Sequence, residues 1–554
     1  MDSKEDLMKA VFLMPVILML FIGTNLVNAM TCESLENIAP EGFKVTAKRY
    51  FPDGQSLQPF CLVTGQQLHP RIGIDGKPYS LKFELHLPNE WRGRFAYQFN
   101  AGNDGHLVPA LGNITGLTPE QYAINRGFAV LSSNGGHDAE SVSVAGLNGS
   151  ALFGRDPQAR QDYGYDAVRK LYPVARSIIQ TYYSAPIRYS YGIGSGNGGR
   201  MAMVAATRFP HMFNGLLIGA PGLNLPKSAL QYAWDAQTLH QLQPEVLTQQ
   251  DLMMFANSLL KQCDGLDGMN DDLIFASKQC QKVFKPTEIT CKGEFDHYCL
   301  APKKVAAIMR MQQGPKNIQG QALYSDWVYD IGMRSANWQK WKIQSNVNVW
   351  QFKPASSVLG AASLANIFMT PPVHTGSSPS ALTSFLLNFD FDKDAPKIFA
   401  RNAQFSESSM AFMAPPNVTN PKLQAFKRYG GKMIIFHGNS DPVFSVNNTI
   451  RWYNYLNFNQ RGYAGKFVRL YRVPGMVHGA GGPALDQFDM LQPLMIWVEG
   501  KQAPKAIIAT SRLNNQEITS RMRGLKRPLC PYPNTAIYRQ GDVHLAGSFS
   551  CRPE

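Results

Sequence analysis

Two patterns of apolar residues alternate along the chain. Short runs that are apolar at most positions end in small or polar residues, as in Gly127-Phe-Ala-Val-Leu-Ser-Ser, Gly431-Lys-Met-Ile-Ile-Phe-His and Lys466-Phe-Val-Arg-Leu-Tyr-Arg-Val-Pro. Runs of this length and composition predict strands, and the near-continuous apolar ones predict burial on both faces. Residues 79–99 carry two stricter alternations, Tyr79-Ser-Leu-Lys-Phe-Glu-Leu-His-Leu and Arg94-Phe-Ala-Tyr-Gln-Phe, separated by Pro88-Asn-Glu-Trp-Arg-Gly. That arrangement predicts an early hairpin or meander. Helical spacing runs from 163 to about 182 through Val168, Leu171 and Val174, and a tail helix is expected over 488–498. Strand alternating with helix predicts an α/β fold built on a mostly parallel sheet covered on both faces.

The pattern changes after Pro221. From about 223 to 424 the chain is irregular, with helices and three Pro/Ser/Thr-rich breaks, and a chain of 554 residues can carry a large core with one such insertion. The expected division is a leader over 1–29, a first part of the core over 30–222, a lid domain over 223–424 and a second part of the core over 425–554. The leader has lysines at 4 and 9, an apolar run from Ala10 to Gly23, and Val27-Asn-Ala29 before a cut. It reads as a signal peptide of a secreted or periplasmic protein, although Asp2, Glu5 and Asp6 are unusual there, and an uncleaved anchor is the alternative. No later stretch has the apolar length of a membrane span.

Residues 188–200, Arg-Tyr-Ser-Tyr-Gly-Ile-Gly-Ser-Gly-Asn-Gly-Gly-Arg, pass from a β-prone run through a glycine cluster into the helix formers Met201-Ala-Met-Val-Ala-Ala. Strand, tight turn and helix is the geometry of the nucleophile elbow of α/β-hydrolases, in which small residues flank a central nucleophile. One register fits. Gly194 and Gly198 are then the flanking small residues and Gly196 stands where the nucleophile belongs. A shift of one residue would make Ser195 the nucleophile but would put Ile193 and Asn197 at the small positions. The competing reading, a phosphate-binding glycine loop, lacks the acidic residue about 20 positions on that a dinucleotide fold uses, since that region reads Gly219-Ala-Pro-Gly-Leu-Asn-Leu-Pro.

Each late strand ends in a residue that acyl-transfer chemistry uses. His437-Gly-Asn-Ser-Asp441-Pro follows one and Pro474-Gly-Met-Val-His478-Gly follows the next, giving the chain order nucleophile position, Asp, His. In that order His478 handles the proton, and Asp441 fixes its tautomer and stabilises the imidazolium. Backbone N–H groups of Asn197, next to the elbow, and Gly102, in the loop Asn100-Ala-Gly-Asn-Asp-Gly105, are the expected oxyanion donors.

The net charge of +14 raises the question of nucleic acid, but the lysines and arginines are spread out and form no basic run with interleaved aromatics. A purely carbohydrate- or surface-binding role has only this charge and the aromatic content in its favour. Eight cysteines fall in local couples, Cys32 with Cys61, Cys263 with Cys280, Cys291 with Cys299 and Cys530 with Cys551, without any Cys-x-x-Cys. In an exported chain they read as disulfides rather than metal ligands, although spacing alone does not fix the pairing.

Together the elbow, Asp162-Tyr-Gly-Tyr-Asp-Ala-Val, Phe209-Pro-His-Met-Phe-Asn-Gly, Gly219-Ala-Pro-Gly-Leu-Asn-Leu-Pro, Val473-Pro-Gly-Met-Val-His and Gly481-Gly-Pro are far more specific than any one motif. On them nearly the whole chain after the leader resembles the tannase and feruloyl esterase family, which includes mono(hydroxyethyl)terephthalate hydrolases. The resemblance implies an α/β-hydrolase core and a serine-type hydrolase of small aromatic or phenolic esters. It also implies a family disulfide between a cysteine just before the catalytic serine and one just after the catalytic histidine. Here those positions hold Ser195 and Gly479, and the serine itself is Gly196, whereas the cysteines of four other family disulfides are all present. Cys263-Asp-Gly-Leu-Asp-Gly-Met-Asn-Asp-Asp-Leu matches the family's calcium loop, which implies a structural calcium on the side chains of Asp264, Asp267 and Asp271 and the carbonyls of Met269 and Leu273. Asp272 departs from the family, where a glycine is usual. Two functions follow: an exported ester hydrolase whose turnover is limited by Gly196, or a catalytically silent member that binds aromatic esters or serves as a scaffold.

Overall fold

A computed structural model describes residues 30–54, 56–293 and 299–554; the leader and its cut lie outside these residues. Nine strands form the central sheet: β1 (Phe43–Tyr50), β2 (Phe60–Gln67), β3 (Lys82–Pro88), β4 (Arg94–Phe99), β5 (Phe128–Ser133), β6 (Tyr189–Ser195), β7 (Gly215–Gly219), β8 (Lys432–Gly438) and β9 (Val468–Val473). Their order is β1-β2-β3-β5-β4-β6-β7-β8-β9, antiparallel as far as the β3–β5 pair and parallel from β5 onward.

This is the expected α/β sheet with one correction. β3 and β4 do not form a hairpin, because β5 lies between them, antiparallel to β3 and parallel to β4. Every residue of β5 is buried, so this strand takes an interior place in the sheet and displaces the local pairing that sequence proximity favours. Helix α1 (Ala167–Tyr183) is entered through a wider turn over Asp162–Asp166, and the tail helix runs over Leu491–Gly500, slightly later than expected.

Alternate residues of the parallel strands feed two cores. Phe95, Leu131, Ile218, Ile435 and Leu470 pack against α1, helix α2 (Asn197–Arg208) and the helix Val446–Asn459. On the other face Phe128, Ile193, Leu217, Ile434 and Tyr471 meet Trp497 of the tail helix and join Leu252, Phe255 and Leu259 of helix α3 (Gln249–Cys263) in one core. β7 and β8 are neighbours in register, Gly215 beside Lys432, although the whole 223–424 stretch lies between them in the chain. That stretch carries α3 and helix α4 (Ala336–Lys342) and is tied down by Cys263–Cys280 and Cys291–Cys299. Cys32–Cys61 joins the start of the chain to β2, and Cys530–Cys551 ties the last strand. All four local cysteine couples are therefore disulfides.

Candidate functional site

Gly196 joins β6 to α2 at φ 60° and ψ −118°, a conformation that side-chain-bearing residues adopt only under strain. The flanking glycines are required by contact. A Cβ on Gly194 would come 2.6 Å from the Gly198 carbonyl carbon, and one on Gly198 would come 2.2 Å from the Phe99 carbonyl oxygen. Strand and helix thus approach too closely for any larger residue, as the register argument requires.

The imidazole of His478 faces this turn. A Cβ on Gly196 would lie 3.4 Å from both Cε1 and Nε2 of His478, and one bond more would bring a hydroxyl within reach of Nε2. Ser195 points elsewhere: its Oγ is buried without a partner, 2.5 Å from where a Cβ on Gly219 would stand. The other face of the imidazole is fixed by Asp441, whose Oδ2 lies 2.9 Å from Nδ1. Asp441 Oδ1 accepts from the N–H groups of Val443 at 2.8 Å and Phe444 at 3.0 Å.

Burial by itself would raise the Asp441 pKa, but the His478 charge, with the His437 and His478 side chains within bonding range, outweighs it and holds the carboxyl well below its usual range. For His478 burial favours the neutral ring, yet the Asp441 carboxylate wins and raises its pKa above the ordinary value. The pair is therefore set for general acid–base work with Nε2 as the working nitrogen.

Several residues that hold this arrangement escaped the sequence reading. His437 lies 3.5 Å from Asp441 Oδ2, donates through Nε2 to the Phe444 carbonyl and meets the Thr449 hydroxyl through Nδ1. Its place in His437-Gly-Asn-Ser-Asp441 was the only available signal. Asp330, from the 223–424 stretch, accepts at Oδ2 from Ser440 Oγ and from Gly475 N–H, both at 2.7 Å, and so joins the loop of Asp441 to the loop of His478. Burial pushes its pKa up to about 6 against those two donors. Trp341 of α4 and Phe444 set their ring edges against His478, at centroid distances of 5.9 and 5.4 Å.

On the other side of the elbow, Asn197 is the first residue of α2, so its N–H has no intrahelical acceptor, whereas the Gly196 N–H is spent on the Gly219 carbonyl. Asn197 Oδ1 accepts from Arg200, a fully buried guanidinium that also donates to the carbonyls of Tyr163, Gly164 and Met413 and locks the first turn. Gly102 follows β4, the strand beside β6; its carbonyl accepts from Tyr163 Oη at 3.0 Å, and the next carbonyl, of Asn103, is 2.9 Å from His137 Nε2. With both carbonyls engaged, the backbone of this loop is held in one orientation. Gly479, after the histidine, has φ 83°, and nothing lies within 4 Å of where its Cβ would stand. Its carbonyl accepts from Thr115, and that of His478 from Asn337, so two hydrogen bonds hold this loop.

The acidic loop lies apart from this centre. Asp264, Asp267 and Asp271 are buried, and their oxygens accept from the N–H groups of Asp271, Asp272, Met269, Phe275 and Leu273. One cation, the buried Arg527, pairs with Asp271. Burial, reinforced by neighbouring carboxylates, pushes Asp264 up to about 6 and Asp267 up to about 8, and Asp271 is raised by burial despite Arg527. Among the described residues no set of three His, Cys, Asp or Glu side chains converges as a finished metal centre. The donor chemistry still fits a hard cation, with three carboxylates on one short disulfide-anchored loop and more negative charge than Arg527 offsets. Asp272 has φ 63°, so it keeps the left-handed backbone that a glycine would take at ease.

Comparison with known proteins agrees with this fold. The family model for tannase and feruloyl esterase matches residues 61–552. The chain belongs to the tannase and feruloyl esterase family. It is 36% identical over 528 residues to a mono(2-hydroxyethyl) terephthalate hydrolase from Piscinibacter sakaiensis, covering 90% of this chain and 85% of that protein. The solved structure of feruloyl esterase B from Aspergillus oryzae superposes with a TM-score of 0.71 at 19% identity, covering 94% of this chain and 99% of that one. Tannin acyl hydrolase from Aspergillus niger gives 0.67 at 18% identity, covering 95% of each. As a member of this family the chain is built on the α/β-hydrolase fold of ester hydrolases that act on small-molecule esters.

Proposed function

We propose that this chain is an exported hydrolase of aromatic or phenolic carboxylic esters in which the acyl-enzyme route is closed at Gly196. The observation that carries this reading is the 3.4 Å between His478 Nε2 and the place of the absent Cβ, with Asp441 in position behind the ring. Water then takes the place of the hydroxyl. His478 Nε2 accepts a proton as the water oxygen bonds to the acyl carbon, and the resulting oxyanion is met by the N–H groups of Asn197 and Gly102. The bond to the leaving oxygen then breaks, and that oxygen takes the proton from His478. Such a route is slow: serine hydrolases without a triad member keep roughly 10³-fold over the uncatalysed rate. Trp341 and Phe444 offer aromatic edges beside His478 for the acyl or phenolic ring, and the 223–424 stretch serves as the lid over the site. Four disulfides fit an oxidising compartment, and a structural calcium balances the acidic loop.

The test is Gly196→Ser, assayed on short aryl and hydroxycinnamate esters. The glycines of the turn and the acid–base pair are in place, so the single hydroxyl should raise turnover by about 10⁴ to 10⁶. A folded Gly196→Ser chain as inert as the parent would favour the second reading, a silent binding or scaffold member, which the loss of the hydroxyl and of both cysteines around it supports. A parent chain already as fast as the variant would overturn the register of the elbow.

A further inference from the structure

At the opposite end of the sheet from His478, where β6 and β8 begin, a cavity of about 720 Å³ opens to the surface. It stands roughly 20 Å from the catalytic edge, the length of a seven-residue strand such as β8. Its charged lining is entirely cationic: Lys432, Lys466, Arg469 and Lys501, with no aspartate or glutamate among the lining residues. Among the described residues none of the four forms an ion pair, and two of them, Lys432 and Arg469, are half-buried. Arg469 Nε is buried without any hydrogen-bond partner, and burial together with the neighbouring Lys501 holds the Lys432 ammonium below its ordinary value. Gathering like charges without a counter-ion costs stability, which marks a place that has a use for them.

Aromatic rings complete the walls. Tyr429 and Tyr463 are 60% and 56% exposed at the rim, while Trp497, 2% exposed, belongs to the core and only closes the floor. Two of the ammonium groups already lie over rings, Lys466 Nζ 4.4 Å from the Tyr463 centroid and Lys432 Nζ 5.9 Å from that of Trp497. We infer that this cavity is a second binding site, for an aromatic carboxylate whose ring lies against Tyr429 and Tyr463 and whose charge is met by Lys432, Lys466, Arg469 and Lys501. A cavity of several hundred Å³ with few convergent polar groups suits a ligand of that size. An inorganic anion would use the cations and leave the rings without a role. The site owes nothing to the reading of the ester site, so each can fail without the other.

The experiment is calorimetric titration of the full chain with 4-hydroxycinnamate, beside its uncharged methyl ester, cyclohexanecarboxylate, inorganic phosphate and a short single-stranded oligonucleotide. The aromatic acid should bind saturably and more weakly as salt is added. Lys466→Gln/Lys501→Gln, two exposed positions, should weaken it at least tenfold, and Tyr463→Ala should weaken it further. Lys44→Gln/Lys48→Gln, the same loss of charge on β1, should leave affinity unchanged, and melting curves verify that every variant is folded. Affinity for the acid that is unchanged in Lys466→Gln/Lys501→Gln would overturn the inference. So would equal affinity for cyclohexanecarboxylate or phosphate, or tighter binding of the oligonucleotide.

Discussion

Asp441 and Asp267 are both buried loop carboxylates, and their surroundings move their pKa values in opposite directions. Asp441 is ionised because the protein surrounds it with its own donors: two backbone N–H groups and two imidazoles outweigh the cost of burial. Asp267 has two backbone N–H groups as well, but the nearby charges are Asp271 and Asp264, and its pKa is pushed up to about 8. The two sites therefore differ in where the counter-charge comes from. At the sheet edge it is built in, so the acid–base pair persists although the nucleophile is gone. In the acidic loop Arg527 meets Asp271 and Arg521 meets Asp272, but among the described residues no cation pairs with Asp264 or Asp267, whose charge must be offset by a proton or a bound cation.

The largest effect expected from this comparison concerns the built-in charge. In a Gly196→Ser chain, Asp441→Asn should lower kcat by about 10⁴, because an amide cannot hold the Nδ1–H tautomer or stabilise the imidazolium. Pre-steady-state kinetics on an aryl ester would measure it. A loss below tenfold would mean that His437 or solvent replaces the carboxylate.

The same pair sets the dependence on pH. His478 must be neutral to accept a proton, and Asp441 raises its pKa above the ordinary value of about 6.5. The kcat/KM of the Gly196→Ser chain should therefore rise about tenfold per pH unit on the acid limb and level off only above that value. Stability runs the other way. Because the folded value is raised, the Asp441–His478 pair contributes fully below the unfolded pKa and loses that contribution as pH rises through the folded one. Melting curves of the parent and of His478→Gln across pH 5 to 9 should converge toward the alkaline end.

For the acidic loop the counter-charge can be removed without mutation. Stripping calcium with a chelator from metal-loaded protein should lower Tm by on the order of 5 °C, since a bound ligand stabilises only the state that binds it. Asp264→Asn/Asp267→Asn should abolish the dependence on calcium. Identical melting curves with and without chelator would leave the loop as a proton-neutralised turn held by Cys263–Cys280.

How much of this was legible in the sequence depended on the range of the signal. β5, β8 and β9 announce themselves locally as compact apolar runs. β1 escaped notice because its buried Phe43, Val45 and Ala47 alternate with exposed Lys44, Thr46 and Lys48, a half-buried pattern embedded in a basic stretch. The β3–β4 hairpin was wrong because no local pattern records that a later strand inserts between two earlier ones. Gly196, Asp441 and His478 were readable from order and turn chemistry, since each sits at a strand end that fixes its place. Asp330, Arg200 and Trp341 were not, because their roles depend on contacts with segments distant in the chain. The acidic loop needed the family resemblance, because three aspartates in a loop look the same whether they are solvated or buried.

The smallest expected effect is also the one that tests the elbow's register. Ser195 is the hydroxyl-bearing residue next to Gly196 in the chain, so any activity of the parent chain invites the thought that Ser195 has taken over as nucleophile. The geometry opposes it. Residue 195 belongs to β6 and pairs with Gly219 across the sheet, and its Oγ lies against Gly219 rather than His478. Successive side chains leave a strand on opposite faces, so reaching the imidazole would require the end of β6 to turn over and abandon its pairing with β7. Ser195→Ala should therefore leave ester hydrolysis unchanged in the parent and in the Gly196→Ser chain. It removes a buried hydroxyl that has no partner, so stability should hold or rise slightly. Labelling with a serine-directed phosphonate gives the independent readout: the Gly196→Ser chain should label with or without Ser195, and the parent should not label at all. Covalent labelling of the parent that disappears in Ser195→Ala would place the nucleophile one residue earlier and end the argument built on Gly196.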